Sequence, residues 1–140
     1  MVADDATGGA STGLSSRTTG SATATGLANG SAADITITAA KAYALLKIQT
    51  SHAAWVTLYT DTTVRTGDAN RTETTDPLPG GGVIAEMISS QEGEIQRITP
   101  GTIGWNNDVI PSTNVYAKVV NKSGSTNDIT VTLTYVQIEA

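Results

Sequence analysis

The chain has 140 residues with no cysteine and no phenylalanine, and 13 acidic against 8 basic side chains give a formal net charge of −5. Without cysteine there are no disulfides and no thiolate chemistry. The basic residues Arg17, Lys41, Lys47, Arg65, Arg71, Arg97, Lys118 and Lys122 are scattered and form no patch for a phosphate backbone, so no nucleic-acid partner is expected.

Residues 1–33 come first and are almost wholly small, with Gly, Ala, Ser and Thr supplying 25 of the 33. The opening Met-Val-Ala-Asp-Asp lacks the basic and apolar regions of a signal peptide. No apolar run in the chain approaches the roughly 20 residues that span a bilayer, so a soluble protein made in a cytoplasm, without a membrane partner, is expected. A segment this poor in large apolar side chains cannot offset its ordering entropy. It therefore predicts an extended low-complexity arm over 1–33, ordered only when a neighbour holds it, with Val2, Leu14 and Leu27 as pegs on that partner.

The composition shifts at Ala33–Asp34, and residues 34–140 are enough for one core built from Val, Ile, Leu and Ala. Alternating, β-branched stretches predict strands at Asp34–Thr38, Lys41–Thr50, Ala54–Tyr59, Gly82–Ser89, Glu94–Thr99 and Asn114–Asn121. The last strand runs from Asp128, with Ile129, Val131, Leu133 and Tyr135 inward and a row of threonines outward. Asn121–Asn127 predicts a hairpin turn joining it to the strand before. No long segment has a helical apolar period, and at most a turn or two of helix fits within Thr62–Ala69. The fold class expected is all-β: a single antiparallel β-sandwich, of which the jelly roll is one form, carrying the N-terminal arm.

The connection from Asp61 to Gly82 is long for a compact domain, which marks it as a surface crossover or a contact loop. Arg65, Arg71 and Leu78 are its expected contact residues. Trp55 and Tyr59 fall on the strand face opposite Val56 and Leu58. They predict either an aromatic strip that stacks on sugar rings or, with more weight, side chains packed under the long loop or against another subunit.

Residues with catalytic potential form no constellation. His52 sits in a tight turn with no nucleophile elbow around it. Gly80-Gly81-Gly82 lacks the Lys-Ser/Thr of a phosphate loop and leads into a strand rather than a helix. Neither Glu86, Glu92 and Glu94 nor Trp105-Asn106-Asn107-Asp108 has the oxygen spacing of a calcium loop, and the latter reads as a turn. No catalytic residue, metal or cofactor is expected.

Several phrases of the sequence resemble small virion structural proteins of tailed bacteriophages, frequent among marine and cyanobacterial phages. They are Ala42-Tyr-Ala-Leu-Leu-Lys-Ile-Gln-Thr-Ser, Ala54-Trp-Val-Thr-Leu-Tyr, Gly82-Val-Ile-Ala-Glu-Met-Ile, Thr99-Pro-Gly-Thr-Ile-Gly and Val115-Tyr-Ala-Lys-Val-Val-Asn-Lys-Ser-Gly, followed by the Thr-rich strand. The resemblance covers 42–140 and supplies no functional residues. It implies a non-enzymatic virion subunit, with a capsid decoration (cement) protein as the leading expectation. Its expected partners are the major capsid protein or further copies of itself, as a homo-oligomer within the virion. A tail, collar or fibre component is the alternative, and a carbohydrate-binding module using Trp55 and Tyr59 is a third.

Overall fold

A computed structural model describes residues 14–140. Its strands are β1 (Arg17–Leu27), β2 (Ala32–Thr38), β3 (Ala42–Thr50), β4 (Ala54–Tyr59), β5 (Val83–Ile88), β6 (Ile95–Trp105), β7 (Asn114–Asn121) and β8 (Asn127–Glu139). One short helix, α1 (Thr62–Gly67), lies between β4 and β5.

The strands form two four-stranded antiparallel sheets packed face to face, one in the order β1-β8-β3-β6 and the other β2-β7-β4-β5. The pairing is nested. Each strand of the first half meets its mirror in the second: β1 with β8, β2 with β7, β3 with β6 and β4 with β5. The chain is thus doubled back at the β4–β5 connection and then rolled, so that every other connection crosses from one sheet to the other. That is the jelly-roll form of the sandwich.

The inward positions follow the period of two along the strands, interrupted in β1 and β3 where the register shifts between Ala24 and Leu27 and between Leu45 and Lys47. Ile37, Leu45, Ile48, Val56, Leu58, Val119, Ile129, Val131 and Leu133 are buried in one aliphatic cluster. Tyr43 and Tyr135 complete it edge to face, with ring centres 6.0 Å apart. Gly104 lies opposite Tyr43 because a Cβ there would fall 2.5 Å from the tyrosine ring.

Three expectations are corrected. Residues 17–27 of the expected arm are β1, an integral edge strand, and β2 begins at Ala32, ahead of the expected domain boundary. The segment alternates by size rather than by polarity. Thr19, Ser21 and Thr23 face outward against Thr134, Thr132 and Thr130 of β8, with Thr23 Oγ1 and Thr130 Oγ1 hydrogen-bonded at 2.7 Å. Gly20, Ala22 and Ala24 point inward, where the sheets converge: a Cβ on Gly20 would lie 2.5 Å from the Thr38 carbonyl oxygen. Leu27 is accordingly a buried core residue and not a peg for a partner.

The second correction concerns β7 and β8, which are not a hairpin but lie in opposite sheets. Buried Asn121 directs the chain across: its Nδ2 donates to Leu27 O at 2.7 Å and Ser125 O at 2.8 Å, and its Oδ1 accepts from Ser123 N at 2.8 Å. The third is β6, which continues past Thr99 through Pro100 to Trp105. As an edge strand it tolerates a residue without an N–H.

The assignment of β1 to the core generates a truncation prediction. A chain beginning at Arg17 retains all eight strands and should melt cooperatively. A chain beginning at Ala28 loses Ala24 and Leu27 from the core and uncovers β8, a loss large against a typical stability of about 5–15 kcal/mol. Circular dichroism melts of the two should show a single transition for the first and no cooperative transition for the second.

Candidate functional site

Residues 61–82 form a strap across the outward face of the β2-β7-β4-β5 sheet. Asp61 starts α1, its Oδ1 accepting from the Val64 N–H at 2.8 Å. After the helix the chain passes over the outward side chains Trp55, Thr57 and Tyr59 of β4, Glu86 of β5 and Lys118 of β7.

Arg71 fastens the strap. Its Nε and Nη2 donate to the two carboxylate oxygens of Asp68 at 2.8 and 3.0 Å, and Nη2 also reaches Glu86 Oε2 at 2.6 Å. The same Glu86 oxygen accepts from Trp55 Nε1 at 3.0 Å and Thr57 Oγ1 at 2.9 Å, while Tyr59 OH donates to Asp68 Oδ2 at 2.7 Å. Lys118 Nζ donates to Asp68 O at 3.2 Å and lies 4.7 Å from the centre of the Trp55 ring, with the Arg71 guanidinium at 5.4 Å. Arg65 makes a second fastening, donating to Ile35 O at 3.1 Å beside Asp34 and lying over the Tyr116 ring.

The electrostatics follow from this packing. Burial pushes the Asp68 and Glu86 carboxyls up, but the hydrogen bonds and positive charge of Arg71, helped by Tyr59 and by Thr57 and Trp55, outweigh it and hold both below the usual carboxylate range. The Arg71 guanidinium is held in its charged form, first by its hydrogen bond with Asp68. Burial, with the neighbouring Asp68, raises the Tyr59 phenol, and burial lowers the Lys118 ammonium.

Trp55, Tyr59, Arg65 and Arg71 are therefore engaged within the chain, and only 8% of the Arg71 side chain is exposed. They do not present themselves to a partner, and no aromatic strip of Trp55 and Tyr59 is open to a sugar. Leu14 and Leu78 are exposed on the surface, and Val2 lies outside the described residues. Asp68, Glu86 and Lys118, which complete the network, carry no signal of their own in the sequence because their partners arrive only through strand register.

His52 lies in the β3–β4 turn, with Ser51 Oγ 3.1 Å from Nδ1 and Glu92 3.6 Å from Nε2. Ser51 Oγ also accepts from the Thr130 N–H at 2.8 Å, tying the turn to β8. Among the described residues no group of three or more His, Cys, Asp or Glu side chains is placed to hold a metal.

The opposite corner of the sandwich, where β5 and β6 are the sheet edges, is open. A cavity of about 330 Å³ lies there, lined by Thr60, Asp61 and Val64, by Gly80–Ile84, and by Ile103, Trp105 and Asn107. Beside it the 106–112 loop is held stiff by buried Asn106, whose Nδ2 donates to Asn114 O at 2.9 Å and whose Oδ1 accepts from Asp108 N and Ser112 N at 2.9 and 3.1 Å. Its tip carries Val109 and Ile110, at 102% and 83% exposure. No protein-family model matches the chain, and no match to it is found among curated proteins.

The strap network generates a stability prediction. Arg71→Ala leaves Asp68 and Glu86 without their shared cation and should destabilise the fold by about 2–4 kcal/mol, whereas Glu86→Gln, which can still accept from Trp55, should lose less. Because both carboxyl pKa values are lowered in the fold, their contribution is fully present above the unfolded carboxylate pKa of about 4 and is lost as pH falls through the folded values. Denaturant melts from pH 7 to pH 3 should show the wild-type advantage over Arg71→Ala shrinking only in that acidic range.

Proposed function

We propose that this chain is a non-enzymatic structural subunit of a virion, a decoration protein seated on the capsid exterior against major capsid proteins or copies of itself. The observation that carries the reading is the Val109–Ile110 tip: two large, strongly exposed apolar side chains on a loop stiffened by Asn106. Holding apolar groups rigid in water has no benefit to the isolated fold and lowers the ordering cost of docking. Exposed Leu14 and Leu78 offer further apolar contacts. The jelly roll supports the reading to the extent that the architecture recurs in viral capsid domains, and the same architecture also serves lectins and cupins. The buried ionic network supports it as well, since its charges are committed to fastening the strap.

Cryo-electron microscopy and gel densitometry of intact particles test the proposal. Many copies distributed over the shell are expected, with the 106–112 loop at the contact. A few copies at one vertex or along the tail would instead make the protein a tail, collar or fibre component. The double variant Val109→Asp/Ile110→Asp should keep its melting temperature within about 3 °C, as exposed positions do, while failing to join particles. Normal incorporation of that variant would remove the tip from the interface.

A further inference from the structure

The cavity at the β5/β6 corner has a chemistry that the assembly role does not use. We propose that it is a binding site for a neutral, hydroxyl-bearing ring, a single sugar residue, with Trp105 as the stacking surface and Asp61 and Asn107 as the hydroxyl-reading pair. This site is independent of the virion reading.

Size is the first argument. At about 330 Å³ the cavity is at the small end of the ~300–1,000 Å³ range of small-molecule sites, which suits one ring. The lining is divided by type. Val64, Val83, Ile84 and Ile103 give an apolar wall, and Trp105, half exposed at 50%, adds a flat amphipathic face. A sugar ring has the matching division, with C–H faces for the wall and the indole and hydroxyls around its edge.

The polar groups stand on the remaining side. Asp61 Oδ1 is committed to the α1 cap, where the Thr63 N–H also acts on the carboxylate, while Oδ2 has long contacts from Thr60 Oγ1 at 3.3 Å and Asn107 Nδ2 at 3.4 Å. Both are near the limit of a hydrogen bond, so Oδ2 retains capacity to accept from a ligand hydroxyl. The Asn107 backbone is fixed by its N–H to Thr60 O at 2.9 Å, which leaves the side-chain amide to offer a donor and an acceptor from a set position. Gly82, with φ +101°, keeps the cavity floor clear: a Cβ there would lie 2.6 Å from Val64 Cγ2 and 3.0 Å from Thr60 Oγ1.

Charge selects the class. The hydrogen bond from the Val64 N–H holds the Asp61 carboxyl below its usual range, so the cavity contains one carboxylate at neutral pH, and no lysine or arginine is among its lining residues. Phosphorylated or carboxylated ligands would meet uncompensated like charge. A wholly apolar ligand would cover Asp61 and Asn107 without replacing their hydration. A neutral polyol satisfies both constraints.

The test uses the full chain and saturation-transfer NMR with the methyl glycosides of glucose, galactose, mannose and N-acetylglucosamine, alongside glucose 6-phosphate. Transfer to the ring protons of at least one neutral glycoside is expected, with affinity falling by about tenfold or more in Trp105→Ala and in Asn107→Ala. Asp61→Asn should also weaken binding while preserving α1, because Asn caps helices as well as Asp does. Each variant is melted in parallel, and if Trp105→Ala does not fold, the other two carry the comparison. No transfer to any neutral glycoside would overturn the proposal. So would affinity that the folded variants leave unchanged, or tighter binding of glucose 6-phosphate.

Discussion

The Arg71 guanidinium lies between two carboxylates, Asp68 on the strap and Glu86 on β5, and against the face of Trp55 on β4. The architecture depends on this contact because of where it sits. Nested pairing requires the chain to double back between β4 and β5, and the connection there is 23 residues long, from Thr60 to Gly82. A loop of that length has a large conformational entropy that the β4–β5 ladder alone does not offset. Arg71 removes much of this freedom, and through Asp68 and Glu86 it joins the strap to Tyr59, Thr57 and Trp55 at once. Placing charges beneath a loop is costly unless every partner is satisfied. Here each carboxylate accepts both from Arg71 and from neutral donors on the sheet, so the desolvation of the ions is offset by fixed hydrogen bonds.

The two corners of the sandwich have opposite designs. Along the first part of β1 the inward positions are Gly20, Ala22 and Ala24, with a Cβ on Gly20 excluded by the Thr38 carbonyl, and the outward positions form a Ser/Thr ladder. That edge is closed by small size. At the β5/β6 corner the inward glycine, Gly104, makes room for the Tyr43 ring, and the bulky Ile103 and Trp105 are turned out to the edge. The register of β3 on β6 shifts between Leu45 and Lys47, opposite the stretch that contains Pro100, which breaks the edge ladder into two short pieces. A discontinuous edge is a poor template for strand addition. The open corner therefore presents side chains and a cavity rather than a continuous edge ladder on β6.

The period-two alternation of aliphatic residues made seven of the eight strands legible, β8 most clearly, because Ile129, Val131, Leu133 and Tyr135 carry the burial signal themselves. β1 was not legible as a strand by hydrophobicity, since Gly20, Ala22 and Ala24 contribute little apolar area. Its signal was size alternation between Thr19, Ser21 and Thr23 and the glycine and alanines between them. The sheet to which each strand belongs was equally hidden. An alternating pattern says which face of β7 or β8 is buried but not which sheet it joins, and Asn121, whose buried amide directs the crossing, looks in the sequence like any turn residue. Packing under the long loop was the better of the two readings of Trp55 and Tyr59, and register made it so: Glu86 and Asp68 reach their donors across separations of up to 31 residues.

The cavity draws on three separate segments, 60–64, 80–84 and 103–107, and no local pattern unites them. What unites them is the nested pairing. It brings the start of the strap, the end of the strap and the end of β6 to one corner, with the Asn107 N–H to Thr60 O bond as the joint. The outward face of the β2-β7-β4-β5 sheet is taken by the strap, and the β1/β2 corner is closed. Exposed Ile103, Trp105, Val109 and Ile110 consequently lie together at the remaining corner and on the adjoining 106–112 loop. The strap that Arg71 fastens thus also supplies walls of the cavity, since Asp61, Val64, Gly80, Gly81 and Gly82 all belong to it.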